Sequence, residues 1–166
     1  MSRWSVRLRA SEADHRPVRG AGAPRTREFV IEESLGYMIN RVARSFAQEL
    51  GDETRPHGVG IGQWAVLLFL WARDGMSQAE LARVVAIEPP TMVRTIDRMV
   101  RDGLVTRAPD PADRRISRIC LTDRGRALRD ELVPKAVAVN EANLARLTKS
   151  EGRTLLRLLA KLLEPR

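Results

Sequence analysis

Soft metal ligands and long apolar runs are scarce in this 166-residue chain. Its one cysteine, Cys120, excludes an intramolecular disulfide, and its two histidines, His15 and His57, leave too few ligands for a Cys/His zinc site. The longest apolar run, residues 64–72, has nine residues, whereas a membrane-spanning helix needs about 20. We therefore expect no metal, no cofactor and no membrane partner.

Signals for secretion and for catalysis are also missing. Three arginines interrupt the first ten residues, so no apolar region of a secretory signal exists and we expect a cytoplasmic protein. No P-loop, HExxH pair or nucleophile–base–acid set is visible, and we expect no enzymatic activity. The glycines Gly58, Gly60 and Gly62 lack the last glycine of a dinucleotide-binding loop and no predicted strand precedes them.

Aromatic residues make up only 4% of the chain, while arginine dominates its charge. Only three of the 29 basic residues are lysines, and the net charge is +8 with a pI near 11.0. Such a chain favours a polyanionic partner, because the forked guanidinium suits phosphates and guanine edges. Codon bias in a GC-rich genome explains the arginines equally well. Residues 1–27 hold seven arginines and two carboxylates without an apolar period, which predicts a flexible basic N-terminal arm.

Apolar periodicity predicts a mainly α-helical chain with a small β-ribbon. A capping box begins one helix at Ser77, Pro89 suits the first turn of the next, and Gly103 suits the position after that helix. Thr122 caps a long helix in which we expect Pro134 to produce a kink. The run at 63–72 is apolar all round, so we expect that helix to be buried on every side. The predicted helices are 29–51, 63–72, 77–85, 89–102, 123–147 and one opened by a capping box at 148–151, and the predicted strands are 104–107 and 116–121.

Two short helices followed by a β-ribbon is the order of a winged helix-turn-helix. We place this DNA-binding domain at residues 61–121. Helical segments at 28–55 and 122–166 have broad apolar faces that must pack on each other or on another chain. We expect them to form a helical dimerisation region, so that the DNA-binding domain is embedded between its two segments.

The helix at 89–102 has two contrasting sides. Its apolar side comprises Met92, Val93, Ile96, Met99 and Val100. Its polar side, at the spacing of three and four that aligns residues on one helix face, comprises Thr91, Arg94, Thr95 and Arg98. An arginine can donate twice to a guanine, and a threonine can bond a phosphate or touch a thymine methyl. The alternative is an ordinary solvated face, with its arginines paired to Asp97 or Asp102.

The loop between the two strands, APDPADRR at 108–115, carries Arg114 and Arg115 at its tip. A projection of this kind enters the adjacent minor groove or contacts phosphates. We expect Asp113 to orient one of the two arginines by a forked pair while the other points at DNA. An ordinary charged turn is the alternative.

Residues 80–125, and more broadly about 29–164, resemble the MarR family of bacterial winged-helix regulators. The segment IEPPTMVRTIDRM and the DRR of the loop are most similar to its SlyA-like branch. The resemblance implies a homodimer on a pseudopalindromic double-stranded DNA operator, and in many members release by a small phenolic or other aromatic anion. The DNA-binding positions expected here lie at the start of the helix at 77–85, on the polar side of the helix at 89–102 and at the tip of the loop. They are Ser77, Thr91, Arg94, Thr95, Arg98, Arg114 and Arg115.

An aromatic carboxylate needs aromatic walls and a cation, and the candidates to line such a cavity are Tyr37, Arg41, His57 and Trp64. Core packing is the alternative for each.

Cys120 falls on the second predicted strand. The resemblance implies that oxidation-sensing members of the family carry their thiol near the first helix instead, so we do not expect Cys120 to act as a thiol switch.

These patterns predict a dimeric, sequence-specific DNA-binding transcriptional repressor, and the family resemblance implies that a small aromatic effector releases it. An effector-independent activator that displaces nucleoid proteins stays open, as does an architectural protein that coats DNA.

Overall fold

The computed structural model describes residues 6–7, 29–113 and 115–164, so most of the predicted basic arm at 1–27 lies outside the described residues. The helices within those ranges are α1 Leu35–Thr54, α2 Ile61–Ala72, α3 Gln78–Val85, α4 Pro89–Arg101, α5 Asp123–Leu144 and α6 Lys149–Leu163. The strands are β1 Val6–Arg7, β2 Phe29–Val30, β3 Met76–Ser77, β4 Val105–Pro109 and β5 Ser117–Leu121. This confirms the mainly α fold with a small β wing. None of the described helices combines the length and apolarity needed to cross a membrane.

The chain divides into two compact units, residues 1–45 and 46–166. In the first unit β1 pairs in parallel with β2, and a 3-10 turn precedes α1. The predicted start of the first helix at Phe29 was wrong, because Ser34 has an extended main chain and α1 begins at Leu35. The helix ends at Thr54, a little beyond the end expected near Gly51. The break follows at a second 3-10 turn that contains Pro56 and ends at Gly58, whose φ is +76°.

The core of the second unit lies where α2, α3 and α4 pack on the sheet. Leu67, Leu81, Ile96 and Ile119 come from four different elements and expose no surface. Each such burial contributes about 1.5–3 kcal/mol to folding. This packing forms the winged helix-turn-helix that the order of elements predicted.

Helix α2 is not buried on every side, contrary to the prediction. Trp64, Leu67 and Leu70 are buried, whereas Leu68 and Phe69 are 42% and 37% exposed. The buried positions repeat at three and four residues, so the core covers one side of α2 and leaves the other uncovered within the described chain.

The sheet of the second unit has three strands, in the order β3-β5-β4, where only two were predicted. Both contacts are antiparallel, and β3 places Met76 opposite Ile119 and Ser77 opposite Arg118. A two-residue strand has no period of its own, which explains why β3 was missed. Since β3 leads directly into α3, the sheet joins the wing, which is the β4–β5 hairpin, to the helix-turn-helix.

The predicted helix ends are confirmed where side chains cap them. Ser77 Oγ accepts the Glu80 N–H at 3.2 Å while the Glu80 carboxylate accepts the Ser77 N–H at 2.8 Å. Thr148 forms the equivalent capping box at α6, and Thr122 caps α5. Pro134 lies inside α5 as predicted, and the kink expected there stays a prediction. The helix ends at Leu144 instead of 147, because the chain turns there toward the Thr148 cap.

Candidate nucleic-acid interface

One side of α4 presents a polar stripe to the surface. Thr91, Arg94, Asp97 and Arg98 line a shallow concavity of about 600 Å³. Thr91, Arg94 and Asp97 follow one another by three residues, and Arg98 follows Arg94 by four, so these side chains share a face. The opposite side of the helix anchors it in the core through the fully buried Met92, Ile96 and Met99.

The guanidiniums of Arg94 and Arg98 are held along the helix. The Nε of Arg94 donates to the carbonyl of Pro90, and the Nε of Arg98 donates to the carbonyl of Arg94, both at 3.3 Å. Neither forms an ion pair within the part of the chain that the structure describes. Other arginines of the second unit do pair with carboxylates, namely Arg55, Arg73, Arg101, Arg107, Arg118 and Arg126. Arg94 and Arg98 are exposed, and their terminal nitrogens have no carboxylate partner among the described residues.

Thr95 does not share this polar face, contrary to the prediction. Its side chain is 3% exposed, and its hydroxyl donates to the main-chain carbonyl four residues earlier at 2.9 Å. The position follows Met92 by three residues and precedes Met99 by four, which turns it toward the buried side. Val93 and Val100 were assigned to the apolar side but are 39% and 38% exposed.

Asp97 forms an ion pair with the wing that the sequence did not reveal. The Nη2 of Arg107, on β4, donates to Asp97 Oδ1 at 2.6 Å. The sequence suggests Asp97 only as a partner of the α4 arginines, because its spacing from Arg94 is visible in the sequence and its contact with β4 is not. The pair ties the polar face of α4 to the first wing strand and offsets the negative charge of Asp97.

The wing loop is anchored by Asp110. Its carboxylate, 5% exposed, accepts the N–H groups of Ala112 at 2.7 Å and Asp113 at 3.1 Å and pairs with the Arg118 guanidinium. The hydrogen bond from Ala112, followed by that from Arg118, holds the pKa of Asp110 below its ordinary value. A carboxylate with this many donors fixes the main chain of the loop.

Asp113 contacts the main chain of Arg115, and its predicted forked pair with one of the two loop arginines stays a prediction. Its carboxylate accepts the main-chain N–H of Arg115 at 2.9 Å, which shapes the turn and does not direct the guanidinium. Arg115 is exposed at the tip of the wing, and Arg114 lies outside the described residues. The ion pair that the sequence did not reveal joins Asp110 to Arg118. These residues are eight positions apart and meet only because β4 and β5 pair.

Arg118 connects the wing to the start of α3. It donates to the Gly75 carbonyl at 3.2 Å and to Glu80 at 3.3 Å, in addition to its pair with Asp110. The Ser77 N–H is the main reason that the pKa of Glu80 is lowered, and the Ser77 hydroxyl adds to it. Ser77 itself is half-buried. Its contact with DNA stays a prediction.

The predicted effector residues fall in both units. Tyr37 and Arg41 lie on α1 and line a concavity of about 620 Å³ with Gly36, Asn40 and Arg44. In the second unit Trp64 is 5% exposed and makes an edge contact with Trp71, with ring centroids 5.5 Å apart. His57 Nδ1 lies 2.9 Å from the Glu131 carboxylate. Core packing thus accounts for Trp64, and a joint effector role for the four residues stays a prediction.

No group of His, Cys, Asp and Glu among the described residues is arranged to hold a metal ion. Cys120 is half-buried on β5, opposite Thr106.

Comparison with known proteins identifies the family. The MarR family model matches residues 61–117. The chain is 33% identical over 140 residues to the HTH-type transcriptional repressor NicR of Pseudomonas putida, covering 82% of this chain and 86% of that protein. It is 32% identical over 128 residues to an HTH-type transcriptional repressor of Mycobacterium tuberculosis, covering 77% and 92%.

Solved structures show the same fold. A mutant MarR from E. coli, complexed with operator DNA, superposes with a TM-score of 0.73 at 28% identity, covering 78% of this chain and 94% of that one. The matched segment contains α2, α3, most of the wing, and α4 with the polar face described above. The chain belongs to the MarR family.

Proposed function

We propose that this protein is a transcriptional repressor that binds double-stranded DNA through α4 and the wing. The observation that carries the proposal is the pair of exposed guanidiniums, Arg94 and Arg98, which have no ion-pair partner among the described residues. The net charge of +8 favours a polyanion, and the two curated relatives described above are repressors.

Each part of the surface has a chemical role in this proposal. Arg94 and Arg98 donate to guanine O6 and N7 in the major groove, and each bidentate contact discriminates against a wrong base by about 1–3 kcal/mol. Thr91 bonds a phosphate or touches a thymine methyl, and Ser77 bonds a phosphate at the start of α3. The wing residues Arg114 and Arg115 extend into the adjacent minor groove or contact phosphates.

We place the DNA-binding domain at 61–121, and the dimerisation region at 28–55 and 122–166. Large apolar side chains are exposed on α1 and α6, as a homodimer interface requires: Leu35, Met38, Ile39 and Val42 on α1, and Leu155, Leu156, Leu158, Leu159, Leu162 and Leu163 on α6. Two copies related by a two-fold axis bind a pseudopalindrome, in which half-sites about 34 Å apart face one side of the duplex. Within the family, the α4 and wing motifs favour the SlyA-like branch.

A small aromatic carboxylate is the effector that the predicted residues Tyr37, Arg41, His57 and Trp64 suit. Its binding shifts the spacing of the two α4 helices away from the half-site repeat and lowers operator affinity. If no aromatic carboxylate acts on this protein, the alternative is an effector-independent activator that displaces nucleoid proteins from DNA.

Competition binding tests the proposal. The purified protein is titrated onto the DNA upstream of its own gene in the presence of excess random DNA at physiological salt, and aromatic carboxylates are then added. We expect selective binding that one of the acids abolishes. Selective binding that every acid leaves intact supports the activator, and equal affinity for all DNA contradicts a sequence-specific regulator.

A further inference from the structure

A carboxylate lies among the arginines on the polar face of α4. Asp97 follows Arg94 by three residues, directly precedes Arg98, and lines the same concavity. Its side chain is 55% exposed. An uncompensated negative charge at this place would repel the phosphates of any DNA docked on α4, so its presence needs an explanation.

The pair with Arg107 makes the carboxylate tolerable and fixes its direction. Arg107 donates to Asp97 Oδ1 from β4 at 2.6 Å. An ionised carboxylate has about four acceptor positions, so this contact leaves Oδ2 and part of Oδ1 open to a second donor. Asp97 is therefore an oriented acceptor on a face whose neighbouring groups are donors.

We propose that Asp97 selects a cytosine in the operator half-site by accepting a hydrogen bond from its N4 amino group. The inference rests on the proposed binding of DNA through α4. In the major groove guanine presents only acceptors, and thymine presents an acceptor and a methyl group, so a carboxylate has no partner on either base. Adenine offers an amino group beside the N7 acceptor, which repels the carboxylate, whereas cytosine offers an amino group alone.

The same arrangement excludes wrong sequences. On a site without cytosine at this position, Asp97 loses water and faces an acceptor or a methyl group, which costs affinity. Arg94 or Arg98 can meanwhile bind a guanine on the same or the neighbouring base pair. The operator half-site therefore contains a G·C-rich element opposite the middle of α4.

Selection from a randomised duplex pool tests the proposal. The wild type, Asp97→Ala and Arg107→Ala are each selected for bound sequences, and Kd is then measured on the best wild-type site and on its three variants at each position. Asp97→Ala suits an exposed helix position because alanine has the higher helix propensity. Arg107→Ala breaks the same ion pair from the other side and keeps the carboxylate.

We expect the wild type to prefer cytosine at one half-site position by about tenfold. Asp97→Ala should lose that preference while keeping the preferences at guanine positions, and Arg107→Ala should keep the cytosine preference at lower overall affinity. An unchanged cytosine preference in Asp97→Ala overturns the proposal, whether or not the overall affinity of that variant falls. If the wild type selects no sequence at all, both the proposed role of Asp97 and the proposed sequence-specific binding of DNA are contradicted.

Discussion

Gly125, the third residue of α5, lies against the main chain of Leu104 at the entry to β4. A Cβ at position 125 would come within 2.1 Å of the Leu104 carbonyl oxygen. The same oxygen accepts the main-chain N–H of Thr122 at 3.1 Å, and the Trp71 indole donates to the Gly125 carbonyl at 2.8 Å. The start of α5 is thus fixed to the main chain just before β4 by a contact that only glycine permits.

We predict that Gly125→Ala lowers the free energy of unfolding by about 2–3 kcal/mol, because main chain must move to admit the methyl group. Urea denaturation at a fixed protein concentration measures this change. Gly62→Ala is the matched control near the start of α2, where an added Cβ meets nothing within 4 Å. The control should be neutral or gain about 0.5–1 kcal/mol, and equal stability of the two variants would argue against the close contact.

The wing should loosen in acid through Asp110. Its pKa in the folded protein lies below the unfolded value, so its carboxylate stabilises the fold above the unfolded pKa. That contribution is lost as the pH falls through the folded pKa. We therefore expect Asp110→Asn to lower the urea midpoint at neutral pH, and the difference from the wild type to shrink below about pH 4.

Urea midpoints of both proteins from about pH 7 to about pH 3 check this dependence. Asp130→Asn changes an exposed carboxylate of α5 and should leave the midpoint close to that of the wild type. A difference between Asp110→Asn and the wild type that stays constant with pH would show that ionisation of Asp110 does not stabilise the wing.

The exposed leucines of α6 should be needed for dimerisation. Leu158 is 47% exposed, and Leu158→Asp would place a charge in an apolar interface, which we expect to weaken the dimer at least about tenfold. Val84→Asp, at a 37% exposed position on α3, should leave the dimer intact. Sedimentation equilibrium measures both. Retention of the dimer by Leu158→Asp would place the interface elsewhere.

Features whose partners are close in sequence were predictable. The capping boxes at Ser77 and Thr148 join residues three positions apart, and Pro89 and Gly103 mark the ends of α4 by their own main-chain preferences. The order of the elements then sufficed for the winged helix-turn-helix.

Features that depend on distant partners were not predictable. Asp97 meets Arg107 only because β4 passes beside α4, and the two residues of β3 find their partner on β5 some forty positions later. Thr95 was misplaced because alternation of polar and apolar residues does not give the angle at which α4 meets the core. The polar stripe on the surface of α4 was therefore predicted in outline, whereas the ion pair of Asp97 and the burial of Thr95 depend on the packing.

The exposed guanidiniums of α4 should select the DNA sequence. This is measured by the affinity of the wild type, Arg94→Ala and Arg129→Ala for a promoter fragment, the DNA upstream of the protein's own gene, and for random DNA at physiological salt. Arg129→Ala removes the same charge from an exposed position on α5. We predict that Arg94→Ala loses about tenfold of its selectivity and keeps weak, salt-sensitive binding, while Arg129→Ala stays selective. Equal losses on promoter and random DNA in Arg94→Ala would contradict the claim.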